Sequence, residues 1–378
     1  MVGHSTLRRG IVRDEFRNLT EKEFSQMKEL LENGLKEGAL GFSTGLNYSH
    51  AKVAPQEEII GLASVLSAKE GKIYSTHLRD EEAGIYESVL ETIETAKNIQ
   101  AGVEISHFKV VGKNNWPLFD KCLAEIEKAA ENYDINFDIY PYTATATVLY
   151  TLLPDWIAVG GRFQLVDNLR NDNFRVKVIG ELQEKEDELR EIIVASGKTD
   201  KVFIGKTIGE IAKNQEKSVA ETLINLLTAA EGKLIGFWPA ISEENFIKAL
   251  KSPLSIIASD GAAYNIEDAK DGFLVHPRSF GCFSRILSRY VREKRVITVE
   301  EAIKKMTALP ALKAGLSNRG VIKPRYFADV AIFNPELIKD MATFENPFQY
   351  SQGIHAVIVN GRVALLNGQI KQASGQLL

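Results

Sequence analysis

Three short β-branched or apolar runs end in side chains that bind metals. Ile73-Tyr74-Ser75-Thr76-His77 ends in a histidine and turns charged at Leu78-Arg79-Asp80-Glu81. Gly102-Val103-Glu104-Ile105-Ser106-His107 repeats the pattern and continues as Phe108-Lys109. Ser255-Ile256-Ile257-Ala258-Ser259-Asp260 ends in an aspartate. A lone histidine at a strand end is more often a structural hydrogen-bonder than a ligand, and Asp260-Gly261 by itself reads as a turn. Two histidines ending consecutive parallel strands, with an aspartate ending a later one, point instead to one site, because neighbouring strands lie about 4.8 Å apart. Neutral imidazoles with a carboxylate suit zinc, and a position left open for water makes such a site hydrolytic. Asp260 would take a proton from the water and pass it to a leaving amine.

Other residues fit round this centre. Lys109 stands two residues past His107, so strand alternation puts both on one side. Tyr140 and Tyr142 end the next run, Asn136-Phe137-Asp138-Ile139-Tyr140-Pro141-Tyr142. A lysine supplies charge and a tyrosine a directional donor, a pair suited to a substrate carboxylate; the alternative is a Lys109 that faces solvent. Arg79, Asp80 and Glu81 are expected to form local ion pairs at the rim. His276-Pro277-Arg278 is expected on a loop after the Asp260 strand, either ordering that loop or touching substrate.

The spacing between these runs predicts the elements that position them. Val2 to Thr6 reads as the end of a strand. Thr20 with Glu23 makes a capping box, and Phe24, Met27, Leu30, Leu31 and Leu35 keep helical spacing up to Gly38. Gly41 to Leu46 is a strand. Helices are predicted over about 56–70, 84–98 and 116–133, each leading into the next strand. That alternation means βαβ units and a parallel sheet, and a parallel barrel keeps its active site at the C-terminal ends of its strands. The connection from Tyr142 to Ser255 is far too long for a βα loop. It reads as an inserted subdomain with helices over about 171–196 and 218–230 and strands at 201–204 and 234–237, acting as a lid or as a surface elaboration. Helices follow over 285–295 and 299–306. The tail alternates as antiparallel strands do at 320–324, 329–333 and 356–365, with Asn360-Gly361 as a hairpin signal.

Composition sets the outer limits. The 378 residues are 44% hydrophobic and 25% charged, ordinary for a globular protein. A formal charge of −4 and the lack of a long basic run argue against nucleic-acid binding. No apolar run is long enough for a membrane helix, and the first residues do not resemble a signal peptide. Cys122 and Cys282 stand in no metal-binding spacing. Cys122 is expected in the core, and so few cysteines fit a reducing compartment, here the cytoplasm.

Taken in order, Ser75 to Glu81, Ile105 to Lys109, Asp138 to Tyr142, Ala258 to Gly261, His276 to Arg278 and Arg325 to Phe333 resemble the N-acyl-D-amino-acid deacylase (D-aminoacylase) branch of the amidohydrolase superfamily. The resemblance covers nearly the whole chain. It implies a metal-dependent (β/α)8 barrel with a small β-sandwich, and zinc-dependent hydrolysis of N-acyl-D-amino acids. It implies His77 and His107 as zinc ligands from barrel strands five and six. Asp260 on strand eight becomes the catalytic base and a ligand of a second, weaker metal position, while Lys109 and Tyr140 match positions that hold the substrate's carboxylate; Arg278, from its loop, joins them as a substrate-binding candidate. Gly3-His4-Ser5 matches strand three and Gly41 to Leu46 strand four. The family's His-x-His pair of strand one occurs nowhere in this chain. The resemblance thus implies an incomplete barrel: 1–142 with strands three to seven, 143–254 the insertion, 255–318 strand eight and closing helices, and 319–378 the C-terminal part of the sandwich. A C-terminal part of a longer enzyme, a catalytically inactive fragment, and one half of a split enzyme, with a separate chain supplying the missing strands, are all open. A dihydroorotase-like cyclic-amide hydrolase remains the rival activity, since the same metal chemistry opens a ring amide.

Overall fold

In the computed structural model the strand-like runs pair in register into one parallel sheet. It is described for all residues except 14, 159, 200 and 377–378, and for the backbone alone at 49. β1 (Val2–Gly3), β2 (Gly41–Gly45), β3 (Ile73–His77), β4 (Gly102–Ile105) and β5 (Ile135–Ile139) lie side by side in chain order. Three strands of the insertion follow: β6 (Thr145–Val148), β7 (Ile193–Gly197) and β8 (Leu234–Trp238). β9 (Ser255–Ile257) returns to the first sheet beside β5, giving the order β1-β2-β3-β4-β5-β9. β1 and β9 are its edges, so the described residues form an open segment of a barrel wall rather than a closed barrel.

Alternation divides the sheet into two faces. Phe42, Tyr74, Val103, Ile105, Phe137 and Ile139 are buried among helix residues such as Met27, Leu31, Leu62, Val89, Cys122 and Ile126. Burying each such side chain contributes about 1.5–3 kcal/mol. The opposite face carries Ser43, Ser75, Glu104 and Asn136 in one lateral row. Gly41 is required where it stands, since a Cβ there would run into the Ile73 carbonyl oxygen.

The connecting helices follow the predicted spacing. The helix Glu21–Lys36 has the Thr20/Glu23 capping box, Ile85–Lys97 leads to β4, and Phe119–Ala130 leads to β5. The strand expected over Val2 to Thr6 stops at Gly3, and His4 opens the helix His4–Val12. Its first turn is held by a buried carboxylate: Glu58 lies 2.8 Å from His4 Nε2 and accepts from Arg8 Nε at 3.0 Å.

The insertion has its own antiparallel sheet, ordered β6-β8-β7, over a second apolar cluster that includes Leu149, Leu169, Leu182, Val194, Leu223 and Trp238. The helix expected over 171–196 breaks into Asp172–Leu182 and Glu186–Arg190, and its end is instead strand β7. Lys201 to Ile204 is a 3-10 turn over Lys201–Phe203, not a strand; β8 takes β6 and β7 as its neighbours instead. The tail forms β10 (Val330–Phe333), β11 (Ile354–Val359), β12 (Arg362–Leu366) and β13 (Gln369–Ile370), paired in that order. Asn360 and Gly361 turn the β11–β12 hairpin with φ of 51° and 76°, the left-handed pair a type I′ turn requires. Residues 320–324, expected as a strand, form none. No helix among the described residues is long and apolar enough to cross a membrane.

Candidate metal and carboxylate site

His77 ends β3 on the polar face of the sheet, and β4 stops two residues before His107. His107 then adopts a left-handed backbone, φ 40°, held by an N–H donated to Asp138 Oδ1 at 2.9 Å. The turn brings the two rings together at the C-terminal edge of the sheet, with His77 Nδ1 and His107 Nε2 2.9 Å apart. Lys109 joins them because of this turn and not through the strand alternation expected from spacing. Its Nζ donates to Glu81 Oε1 at 2.6 Å and lies 2.9 Å from His107 Nδ1.

Glu81 is the residue that sequence reading misplaced. Arg79 does form a rim ion pair, with Glu91 at 2.6 Å, and Asp80 caps a turn by accepting from the Glu82 N–H. Glu81 instead turns inward and is buried between Lys109, His107 (3.1 Å) and His77 (3.8 Å). The only sequence signal was a carboxylate soon after the histidine, which three adjacent acids share. Tyr48, three residues past β2, was also missed. Its ring lies 5.1 Å from that of His77. Burial, with Glu81 and Asp260 nearby, pushes its hydroxyl well above the ordinary tyrosine value, so it stays a neutral donor.

The electrostatics favour a neutral His77. Burial pushes His77 down to about 3, against the pull of Glu81. Burial alone would raise Glu81, but Lys109 and then the two histidines hold it well below the usual carboxylate range. Burial likewise opposes charge on Lys109, yet Glu81 outweighs it and raises the ammonium above its ordinary value.

His77, Glu81 and His107 each offer a ligand atom, and the three atoms lie within 4.8 Å of one another. His77 Nε2 is buried with no hydrogen-bond partner. Two imidazole nitrogens, one of them the orphaned His77 Nε2, and one carboxylate are the donor set of a zinc-type cation, so the residues present fit such an ion. A cation held through His107 Nε2 leaves Nδ1 protonated, and Glu81 is its acceptor.

Asp260, also left-handed at φ 47°, lines the same cavity but stands outside this three-residue cluster. Its Oδ2 lies 2.8 Å from Arg278 Nη1. Arg278 opens the helix Arg278–Arg285 and stacks over the Tyr140 ring at 4.7 Å. His276 orders that helix start: its Nδ1 accepts from the Arg278 N–H at 3.1 Å, which leaves Nε2 to donate to the Ala144 carbonyl at 3.0 Å. Tyr140 is buried behind Lys109 and Arg278, its hydroxyl without a hydrogen-bond partner. Cys282 is buried in the same helix, with Sγ donating to Ala258 O.

The cavity measures about 460 Å³. Its floor is His77, Glu81, His107, Lys109, Asp260 and Arg278; the insertion supplies a wall through Thr145–Thr147, Thr151–Asp155, Leu182, Lys185 and Trp238. Two ion pairs bind that wall to the βα loops, Lys52–Asp155 at 2.5 Å and Lys185–Glu82 at 2.7 Å.

Comparison with known proteins shows the family. Residues 266–365 match the model of the amidohydrolase family. The chain is 33% identical over 361 residues to D-aminoacylase from Alcaligenes xylosoxydans xylosoxydans, covering 96% of this chain and 65% of the relative. It is 30% identical over 379 residues to N-acyl-D-glutamate deacylase from the same organism, covering all of this chain and 68% of the relative. The chain belongs to the D-aminoacylase family of amidohydrolases. It spans about two thirds of the length of these curated relatives. The fold matches that of N-acyl-D-glutamate deacylase from Bordetella bronchiseptica, solved with zinc and a phosphonate mimic of the tetrahedral intermediate: TM-score 0.80 and 28% identity over 97% of this chain and 68% of that one. A dihydroorotase from Lactobacillus johnsonii matches only 30% of the chain, at 28% identity.

Proposed function

We propose that this chain carries the metal and carboxylate site of a zinc-dependent hydrolase that cleaves N-acyl-D-amino acids to a carboxylate and a free D-amino acid. The observation that carries the reading is the meeting of His77, His107 and Glu81 with Lys109, Arg278 and Asp260 in one cavity. His77 and His107 would hold one tight zinc together with Glu81, and Asp260 would reach a second, weaker metal position. Zinc supplies polarisation of the acyl carbonyl and a more acidic water at neutral pH.

The chain's own residues do the rest. Lys109 and Arg278 neutralise the substrate carboxylate, and Tyr140, expected from the sequence to donate its hydroxyl there, instead lies outside the cavity lining with both cations over its ring and supports them from behind. This fixes the scissile amide relative to Asp260. Asp260 accepts a proton as water attacks the carbonyl carbon and delivers it to the amide nitrogen as the C–N bond breaks. The insertion wall limits water round the reacting atoms. Two free buried cysteines suit a reducing compartment, and we place the protein in the cytoplasm, acting on a small molecule and not on nucleic acid or a membrane.

The test is hydrolysis of N-acetyl-D-amino acids by the zinc-loaded protein, with the L-enantiomers and dihydroorotate alongside. Release of free D-amino acid alone is expected. Ring opening of dihydroorotate without deacylation would replace this reading with the cyclic-amide one. A second reading keeps the chemistry but needs another polypeptide along edges β1 and β9. It is favoured by the half-buried polar face of the sheet at Ser43, Ser75 and Asn136, since parallel sheets are normally covered on both faces. Activity of the isolated chain equal to that of a longer relative rules it out.

A further inference from the structure

We propose that His276 is a positioning residue for Arg278: its imidazole fixes the backbone from which Arg278 reaches the cavity and ties that backbone to the root of the insertion. The inference rests on the deacylase reading above and deepens it, by naming what holds one of the two cations that meet the substrate carboxylate.

His276 has no atom to offer a substrate. It is buried, it does not line the cavity, and main-chain groups engage both ring nitrogens. The Arg278 N–H, at the start of its helix and so without an intrahelical acceptor, donates to Nδ1 at 3.1 Å. An imidazole that accepts at Nδ1 carries its proton on Nε2, and that N–H donates to the Ala144 carbonyl at 3.0 Å. Ala144 immediately precedes β6, the first strand of the insertion. One ring thus joins the root of the insertion to the start of the Arg278 helix.

The surroundings say why the ring is an imidazole. Tyr140 and Tyr142 at the end of β5, Phe237 from β8 and Phe344 from the tail meet it in T-shaped contacts at 5.0–6.1 Å. A phenyl ring would fill this enclosure without burying two polar nitrogens, which costs free energy unless each is hydrogen-bonded. What the imidazole adds is the pair of main-chain bonds. Burial, and then the charge of Arg278, hold it well below the ordinary histidine value, so it stays neutral. The far end of the same helix is anchored as well: Arg285 donates to the Pro141 carbonyl and to Asp340, each at 2.8 Å. Leu274, two residues before His276, donates its N–H to Ala195 of β7 at 2.8 Å, a second tie to the insertion. With both ends held, the guanidinium of Arg278 has one place, over the Tyr140 ring and 2.8 Å from Asp260. Without Nδ1 the Arg278 N–H must find another acceptor, and the guanidinium shifts with it.

The experiment is a double-mutant cycle on the zinc-loaded full chain, read as KM and kcat. The substrate is whichever of N-acetyl-D-leucine, N-acetyl-D-aspartate and N-acetyl-D-glutamate the parent turns over fastest. His276→Phe keeps a ring in the enclosure and removes both nitrogens; it is expected to raise KM about tenfold, with a smaller change in kcat. In an Arg278→Met background the same change is expected to have almost no further effect, because the residue it acts through is gone. His276→Asn, whose carboxamide oxygen can accept from the N–H two residues on, is expected to recover most of the KM. His276→Gln lacks that turn and serves as the second impaired variant if the phenylalanine one does not fold. Effects of His276 and Arg278 that multiply in the double variant overturn the proposal and leave the deacylase reading intact. So does an asparagine variant as impaired as the glutamine one. A parent chain that turns over none of the three substrates refutes the deacylase reading and this inference with it.

Discussion

Glu81→Ala separates two roles that this carboxylate combines. At 2.6 Å from Lys109 Nζ, its direct attraction is about 6 kcal/mol at an effective dielectric of ~20. Desolvation of both ions offsets most of that, but removing only one partner leaves a buried ammonium uncompensated and costs about 3–5 kcal/mol. Glu81→Ala is therefore expected to lower the unfolding free energy in urea by that amount, and Glu81→Ala/Lys109→Met to recover most of it. Zinc affinity behaves differently. His107 Nδ1 faces Glu81 Oε1 at 3.1 Å, and loss of such an orienting acceptor typically weakens a metal by about 10–100-fold. Competition against a chromophoric chelator is expected to show that loss in the double variant, although its fold is restored. A double variant with full zinc affinity would show that Glu81 neither holds the metal nor orients His107. A single variant as stable as the parent would sink the buried-pair argument.

Three further outcomes are expected. Glu58→Ala leaves the fully buried Arg8 guanidinium without its carboxylate, a loss of about 3–5 kcal/mol in denaturant unfolding; a change below about 1 kcal/mol is inconsistent with a buried clamp on the helix His4–Val12. Burial, and then the Asp138 carboxylate, hold Glu104 well above the usual carboxylate range, and neither of its oxygens has a hydrogen-bond partner. The folded state thus keeps this proton where the unfolded chain, near 4.5, has lost it, so the stability from this group is full below that pH and is lost as pH rises through the folded value. Relative to the parent, Glu104→Gln is expected to gain stability between about pH 5 and 8, and an identical difference at both ends refutes the assignment. Asp260→Asn is expected to lower kcat by about 10²–10⁴-fold while calorimetry shows substrate still bound; an unchanged kcat removes Asp260 from the proton path.

Much of the scaffold was legible because its signals are local. Alternation along 73–77 and 102–105 marks strands whose register then follows from burying Tyr74, Val103 and Ile105 on one face. Thr20 with Glu23, and Asn360 with Gly361, are codes read by the backbone within four residues. His77 ends β3, and His107 and Asp260 follow the ends of β4 and β9 by two and three residues, so the parallel strands bring all three to one edge. The insertion was harder. β7 follows directly on a charged stretch whose composition favours helix, and pairing with β8, about 40 residues on, ends that helix in a strand.

The sequence by itself thus determined the order of βα units, the ends of the strands and the metal-competent residues on them, because each depends on neighbours along the chain. Tertiary structure alone decided which of Asp80, Glu81 and Glu82 turns inward, since the cation that draws Glu81 in is Lys109, 28 residues away. It alone placed Lys109 against His107, through a left-handed residue that no alternation pattern encodes. It also assigned Glu82 and Asp155 to lysines 103 residues distant. Exposed charges carry no local code for their partners; those are set only when two loops and an insertion close over the same cavity.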